Sequence, residues 1–197
     1  MKPQGFDRRR LDDLRRELQA PGSAPGASGP APVLVRRWDE AWAAIAGRVP
    51  AGGMHPRVFI EEWHQPPMAA QSWVPDLVRR AGGEPFVVTP GSLNQEISWE
   101  EVMEFDPHIV ILSLHGIGLQ AAPEQWMDIE GWDRVDAAAQ GRVFSVDDRL
   151  FNQPGMALAE GAGLLQGLIG EAFWGWPRCE DARLRRLQGL ENGFKKY

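Results

Sequence analysis

From residue 57 onward the chain alternates short apolar runs with helical patterns, and this alternation limits the possible fold more than any other feature of the sequence. A strand that is apolar on both of its faces is typical of a parallel sheet covered by helices on both sides. Four such runs are present: RVFIEEW at 57–63, PFVVT at 85–89, HIVILSL at 108–114 and RVFSVDD at 142–148. The sequence therefore predicts an α/β fold, a single lobe whose mainly parallel four-stranded sheet is flanked by helices on both faces.

Helical patterns connect the predicted strands. They are SWVPDLVRRAGG at 72–83, SWEEVMEFD at 98–106, a stretch that covers roughly 123–140, and a last helix that starts near Pro154. In the second of these, Ser98 and Glu101 have the S-x-x-E spacing of a capping box. Ligands of parallel α/β sheets bind beyond the carboxyl ends of the strands. We therefore expect the functional surface on a rim of four strand-end loops, at 61–64, 89–92, 115–118 and 147–151.

The chain also has extensions on either side of this pattern. Leucines at helical spacing among charged residues predict a short helix near each end of the chain, and the C-terminal one, with Leu184, Leu187 and Leu190, is expected to fold back on the domain. The predicted units are an N-terminal amphipathic arm at 1–19, a linker rich in Pro, Gly, Ser and Ala at 20–32, a single α/β lobe at 33–175 and a C-terminal helical tail at 176–197.

The composition narrows the class of protein. A chain of 197 residues is long enough for one sizeable domain, and its net charge of −6 would be repelled by the phosphates of nucleic acids. No apolar stretch approaches the length of a membrane span, and the N-terminus lacks the apolar centre of a signal peptide. As the chain stands, we expect a cytoplasmic protein with no nucleic-acid partner and no membrane span.

The sequence contains few patterns that indicate catalysis. It has no G-x-S-x-G elbow, no P-loop and no G-x-G-x-x-G after a strand. Glu61 and Glu62 are neighbours on a strand and point to opposite faces, so they do not readily act as an acid–base pair. His64 and His115 both fall on the predicted rim, but they lack helical HxxxH spacing and a cysteine partner. We expect no enzyme, no catalytic residues, no metal site and no built-in cofactor.

Three segments resemble a known family. VFIEEWHQPPMAAQSWVPDLVRRAGG at 58–83, ISWEEVMEFDPHIVIL at 97–112 and GRVFSVDDRLFNQPG at 141–155 resemble the carboxyl-terminal lobe of the cobalamin and ferric-siderophore binding proteins of ABC importers. Their order and spacing match over roughly 57–170. Members of this family have two α/β lobes joined by one long helix and bind their ligand between the lobes. The resemblance implies a non-catalytic ligand-binding lobe, periplasmic if the start of the chain is truncated.

The chain departs from the family at its N-terminus. Residues 1–56 are too few for an amino-terminal lobe and carry no strand-rich pattern. A clamp with two jaws therefore cannot be assembled from one copy of the chain. The resemblance implies an ABC transporter permease as partner, and a separate N-terminal lobe could supply the missing jaw.

The resemblance also suggests contacts for the ligand and the transporter. Met68 follows paired prolines where the family often carries an apolar ligand contact, and core filling is the alternative. The family contacts its ligand from the loop after the fourth strand, and pairing of Asp147 with Arg149 is the alternative there. Glu100 begins a helix where an acidic residue of the family pairs with transporter arginines, and a solvated helix-start acid is the alternative. The ligand contacts expected are Trp63, Met68, Trp73, His115, Asp147, Phe151 and Asn152. For Trp73 the alternative is a contact that staples the start of its helix against the sheet.

Three functions remain open from the sequence. The first is a single lobe that binds cobalamin, another corrinoid or an iron chelate such as a ferric siderophore. The second is a structural or interaction domain that has lost ligand capture and self-associates. The third, less favoured, is a corrinoid-handling enzyme. Because no second lobe shields the apolar residues of the rim, we also expect a homodimer.

Overall fold

The structure, a computed structural model, describes residues 10–19, 31–88 and 96–190. Its helices are α1 Leu11–Gln19, α2 Ala31–Ala46, α3 Val74–Ala81, α4 Trp99–Phe105, α5 Glu124–Met127, α6 Asp136–Ala139 and α7 Ala157–Phe173. Its strands are β1 Arg57–Trp63, β2 Met68–Ala69, β3 Glu84–Pro85, β4 Ile109–Leu112, β5 Val143–Val146 and β6 Leu184–Arg186. Within these ranges no helix has both the length and the apolar character needed to cross a bilayer.

The strands form one mixed sheet in the order β2-β1-β4-β5-β6, with β3 also paired to β1. The central pairs β1–β4 and β4–β5 are parallel, as is β1–β3, whereas β2 and β6 join antiparallel at the two edges. Val58 lies opposite Ile109, and Val110 lies opposite Val143. The predicted α/β lobe with a mainly parallel sheet is confirmed, and the described residues add two short antiparallel strands to it.

The second predicted strand is much shorter than expected. The strand that pairs with β1 is Glu84–Pro85, and Phe86 N still donates to Val58 O at 2.9 Å. Residues 87 and 88 are not in a strand, and Thr89 lies outside the described residues. The reason is that β2 occupies the same edge of β1 further along, where Ala70 N donates to Ile60 O at 2.8 Å. The edge of β1 is therefore shared between two short strands.

Helices cover both faces of the sheet because the strands are apolar on both sides. One core packs α2, α3 and α7 against side chains such as Ile60 and Ile111. The other packs α4, α5 and α6 against Phe59, Val110 and Leu112. Alternation along β1 and β4 sends successive side chains to opposite cores, so each strand contributes to both.

Local sequence signals define several helix ends. Ser98 Oγ accepts from Glu101 N at 3.2 Å while the Glu101 carboxylate accepts from Ser98 N at 2.7 Å, which confirms the capping box of α4. Gly82 ends α3 with φ +96°, and a Cβ there would lie 2.6 Å from the Trp174 ring. The helix expected over 123–140 is instead broken into α5, a 3₁₀ turn and α6, with Gly131 at φ +85° between them.

The N-terminal helix packs against the lobe. Leu11 and Leu14 are buried in the core beside α2, and Arg15 forms an ion pair with Asp39 at 2.6 Å. The predicted linker at 20–32 falls mostly on residues outside the described ranges, but its last two residues already belong to α2. In the structure α1 is thus part of the same packed body.

Between residues 176 and 190, the described part of the C-terminal tail, the structure has a strand where a helix was expected. Leu184–Arg186 instead forms β6, antiparallel to β5, with Val146 opposite Leu184. The edge of β5 offers unpaired backbone groups, and hydrogen bonding to them outweighs the weak helical pattern of this segment. Leu187 and Leu190 are nevertheless buried, in the core beneath α4 to α6. The prediction of a helix was wrong, and the prediction that leucines of the tail fold back on the domain was right.

Truncation of Leu187 tests whether this tail supports the lobe. Leu187 is 3% exposed, so Leu187→Ala should lower the free energy of unfolding by about 2–5 kcal/mol through lost burial and a residual cavity. Urea denaturation followed by circular dichroism measures the change. Val87, which is 46% exposed, is the control, and Val87→Ala should change stability by no more than about 0.5 kcal/mol. Equal effects of the two substitutions would contradict the packing.

Candidate functional site

The carboxyl ends of β1, β4 and β5 meet at one edge of the sheet because the three strands are parallel. We call the residues at this edge, 61–64, 113–118 and 147–152, the rim. The loop at 89–92, expected as its fourth part, lies outside the described residues. The rim is the place where a parallel α/β sheet offers a crevice to a ligand.

A cluster of two carboxylates and one imidazole, from Glu62, Asp148 and His115, joins the three loops of the rim. His115 Nε2 lies 2.8 Å from Glu62 Oε1, which connects the ends of β4 and β1. Asp148 Oδ2 accepts from Gly116 N at 3.1 Å and lies 3.9 Å from His115 Nδ1, which connects the loops after β5 and β4. The His115 side chain is 47% exposed. The cluster therefore fixes the loops relative to one another and still presents the imidazole to solvent.

Asp147 is occupied within its own loop. Its carboxylate accepts from Arg149 N at 3.1 Å and from Arg149 Nε at 2.9 Å. Hydrogen bonding from the Arg149 side chain is the main reason why the pKa of Asp147 lies below its ordinary value. In the structure Asp147 has the ion-pair role that was its alternative interpretation, so a ligand would have to share it with Arg149.

The side chains of Phe151 and Asn152 on the rim, and of Trp73 at the start of α3, are wholly or partly buried. The Phe151 ring is fully buried in the core of α2, α3 and α7, so the expectation that it is an exposed apolar residue of the crevice is wrong. Asn152 Nδ2 donates to Ser113 O at 2.6 Å. Trp73 Nε1 donates to Phe151 O at 2.8 Å, and its partly buried ring packs on the same core. These three side chains hold the loop after β5 in place.

The exposed apolar surface of the rim is smaller than the sequence suggested. Trp63 is 45% exposed and Ile117 is 40% exposed, at the ends of β1 and β4. Trp63 Nε1 donates to Gln65 O at 2.9 Å, which holds the indole at the turn. Met68 is half-buried in β2, on the edge of the sheet beside β1. Trp63 is therefore the predicted aromatic contact with the most surface available to a ligand.

Sequence reasoning missed a buried polar cluster at the end of β1. Glu61 is 0% exposed; its Oε1 lies 2.8 Å from His64 Nδ1, and its Oε2 accepts from Trp126 Nε1 at 2.8 Å. Burial raises the pKa of Glu61, an effect that the His64 and Trp126 hydrogen bonds partly offset. The signal was present in the sequence: a glutamate in a strand covered on both faces must be either exposed at its end or paired.

The rim residues do not assemble a metal site. Among residues 10–19, 31–88 and 96–190, no group of three or more His, Cys, Asp or Glu side chains is placed to hold a metal ion. The imidazole of His115 is instead engaged with a carboxylate. The chemistry of the rim is that of a surface with one exposed indole beside charged acceptors, which suits binding.

Residues 5–150 match the sequence pattern of the periplasmic binding proteins. The chain belongs to the periplasmic binding protein family. This match confirms the family that was inferred from the three motifs. Members of the family bind substrates for ABC importers. Substrate-binding proteins are not enzymes, which agrees with the expectation of a non-catalytic role. No curated protein sequence matches the chain.

Solved periplasmic binding proteins share the fold. An ABC transporter substrate-binding protein from Listeria monocytogenes is 19% identical, with a TM-score of 0.68 over 83% of this chain and 66% of that one. A heme binding protein from Pseudomonas aeruginosa is 18% identical, with a TM-score of 0.70 over 89% and 64%. A vitamin B12 binding protein of Vibrio cholerae is 14% identical, with a TM-score of 0.65 over 83% and 63%. This chain thus spans less than two-thirds of the length of each.

Glu61→Gln should remove one component of the pH dependence of stability. Because the pKa of Glu61 is raised in the folded state, the stability that its proton contributes is complete below the ordinary value of 4.5 and is lost as pH rises through the folded pKa. Glutamine cannot ionise. The unfolding free energy of the variant should therefore increase relative to wild type as pH rises from about the ordinary value of 4.5 through the raised pKa of Glu61, measured by urea denaturation. A difference independent of pH would contradict the raised pKa.

Proposed function

We propose that this chain is a ligand-binding lobe of an ABC-importer substrate-binding protein, and that its rim takes a metal chelate of the corrinoid, heme or ferric-siderophore type. The observation that carries the proposal is that one rim, built from three parallel strand ends, carries both the exposed Trp63 indole and the Glu62–His115–Asp148 cluster. The relatives of similar fold that bind heme and vitamin B12 support this class of ligand. The proposed location is the periplasm, and membership of the periplasmic binding protein family supports it.

The proposed contacts divide by chemistry. A flat apolar face of the ligand stacks on the Trp63 ring, and the half-buried Met68 thioether extends that surface. Amide groups at the ligand edge donate to the carboxylates of Asp147 and Asp148, and His115 presents its imidazole from the end of β4. The other three predicted residues do not contact the ligand and instead hold the loop after β5 in place: Trp73, Phe151 and Asn152.

A single lobe encloses only one side of such a ligand. Binding pockets normally bury most of the ligand surface, and the rim forms one wall of such a pocket. We therefore expect affinity in the range of about 1 μM or weaker for the isolated chain. A second lobe, from a separate chain or from residues outside this sequence, would complete the site.

Ligand titration tests the rim directly. Cobinamide, hemin and a ferric siderophore are added separately to the protein, and tryptophan fluorescence and calorimetric heat are followed. Quenching is expected with at least one of them, and Trp63→Ala should weaken the apparent affinity by about tenfold because a stacked indole contributes on the order of 1 kcal/mol or more.

The matched control for this titration is Trp174→Ala. The Trp174 indole donates to Met54 O at 3.2 Å, before the start of β1 and thus at the opposite edge of the sheet. Its loss should leave the affinity unchanged. No heat with any of the three ligands, or equal weakening by both substitutions, would exclude the rim as the binding surface.

Glu100 is the proposed contact with a transporter permease. It is exposed in the first turn of α4. The capping box between Ser98 and Glu101 fixes the direction of this turn, so Glu100 is held at a defined place on the surface. An acid in this position suits a partner that presents arginine.

Substitution of Glu100 tests the docking proposal. Glu100→Gln should weaken binding to the cognate permease complex in proteoliposomes, because one charge pair at the interface is lost. Ligand affinity and the melting temperature should stay at wild-type values. Glu104→Gln, an exposed acid at the other end of α4, is the control for a general charge effect. If both variants weakened permease binding equally, the effect would be one of overall charge, and Glu100 would not be a specific contact.

Self-association is the second candidate function, and the exposure of Trp63 and Ile117 on one rim favours it. Two copies that meet through this surface would form a homodimer with twofold symmetry. Light scattering at about 0.1 mM should then give a dimeric mass, a generous concentration for an interface of standard size. Ile117→Glu should return the protein to a monomer. A monomeric wild-type mass at this concentration would exclude self-association.

A further inference from the structure

The buried carboxylate of Glu61 is hydrogen-bonded to two other segments of the chain. Its oxygens contact His64 in the turn after β1 and Trp126 in α5, both at 2.8 Å. Both partners are themselves largely enclosed, since Trp126 is 0% exposed and the His64 side chain is 11% exposed. Each carboxylate oxygen therefore has a defined partner in the protein interior.

An apolar side chain at position 61 would stabilise the sheet more than the glutamate does. Its neighbours Phe59 and Ile60 are buried hydrophobic side chains in the same strand, whereas removing a carboxyl group from water is costly unless its hydrogen bonds are replaced. Burial of a polar group in a strand can be retained because it specifies one arrangement of the groups around it. The arrangement that Glu61 specifies is the orientation of the His64 ring.

The His64 ring joins the rim to the start of α4. It packs on Trp126 with ring centroids 4.5 Å apart and on Trp99 with centroids 5.5 Å apart, and Trp99 packs in turn on Trp132. His64 directly follows Trp63, the exposed indole of the rim, and Trp99 directly precedes Glu100. The His64 imidazole thus follows the proposed ligand contact in sequence and packs on the residue that precedes the proposed docking residue.

We propose that Glu61 is a positioning residue that, through His64, holds both Trp63 on the rim and the Trp99–Glu100 start of α4 in their places. The functional meaning of these two places rests on the proposed function, whereas the positioning itself is a property of the free protein. Glu61 does not contact the ligand. It acts by fixing the His64 ring, which follows Trp63 in the chain and packs on Trp99 at the start of α4.

The charges around the cluster leave His64 as the ionisable partner of Glu61. Glu62, next in the strand, pairs with His115 on the rim. The acids of α4 and of α5 and its end, Glu100, Glu101, Glu104, Glu124 and Asp128, are exposed. The Glu101 carboxylate accepts from Ser98 N in the capping box, and Asp136 on α6 pairs with Arg142. A substitution at Glu61 therefore changes the cluster without breaking another ion pair.

Tryptophan indole signals in ¹H–¹⁵N NMR spectra test the proposal on the free protein. Each of the nine tryptophans contributes one indole N–H resonance, and single Trp→Phe substitutions assign these resonances. Glu61→Leu should shift the Trp63, Trp99 and Trp126 signals and leave Trp174 unchanged. Glu61→Gln should restore Trp63 and Trp99 close to wild type, because an amide can accept from Trp126 and donate to His64.

Two further variants complete the test. Gln166→Leu removes another fully buried polar side chain, on α7 and beneath the opposite face of the sheet, and should leave Trp63 and Trp99 unchanged. If Glu61→Leu does not fold, His64→Phe keeps an aromatic ring but removes the bond to Glu61, and it should shift the same two signals.

The outcomes separate the two proposals. Unchanged Trp63 and Trp99 signals in folded Glu61→Leu, or in folded His64→Phe, would overturn the positioning role, whether or not a ligand binds. The same holds if Gln166→Leu shifts these signals equally, because the effect would then be general. Failure of wild type to bind cobinamide, hemin or a ferric siderophore, with the expected shifts present, would overturn the proposed function and leave the positioning role standing.

Discussion

Parallel pairing of β1 with β4, and of β4 with β5, is the constraint on which the rest of the structure depends. It brings three strand ends to the same edge of the sheet, so loops that are far apart in sequence become neighbours. Both faces of these strands are buried, which requires helices on each side and produces two cores. The rim exists because this geometry leaves only the strand ends for polar chemistry.

Polar groups at that edge are arranged in two layers. The outer layer, with Glu62, His115 and Asp148, joins neighbouring loops and remains accessible to water. The inner layer, with Glu61 and His64, is enclosed by tryptophans from α4 and α5. The outer layer suits contact with a ligand, whereas the inner layer suits the placement of the segments that carry such contacts.

Local sequence was a good guide wherever one residue type satisfied a local requirement. The capping box at Ser98 and Glu101 was predicted from spacing alone, because both hydrogen bonds join residues three apart. The tail was misread because the leucines at 184, 187 and 190 fit a helix, while the unpaired edge of β5, distant in sequence, offered backbone partners for a strand. Phe151 was placed on the rim by its position after a strand, and its burial depends on α2, α3 and α7.

The sequence by itself determined the fold class, the family and which strand ends form the rim, because apolar strand runs and turn residues act over short distances along the chain. Only the tertiary structure decided which rim residues are available. It buried Phe151, engaged Asp147 with Arg149, left Trp63 exposed and enclosed Glu61. The physical reason is that exposure and hydrogen-bond partners depend on segments brought together by packing, and spacing along one chain does not specify which segments those are.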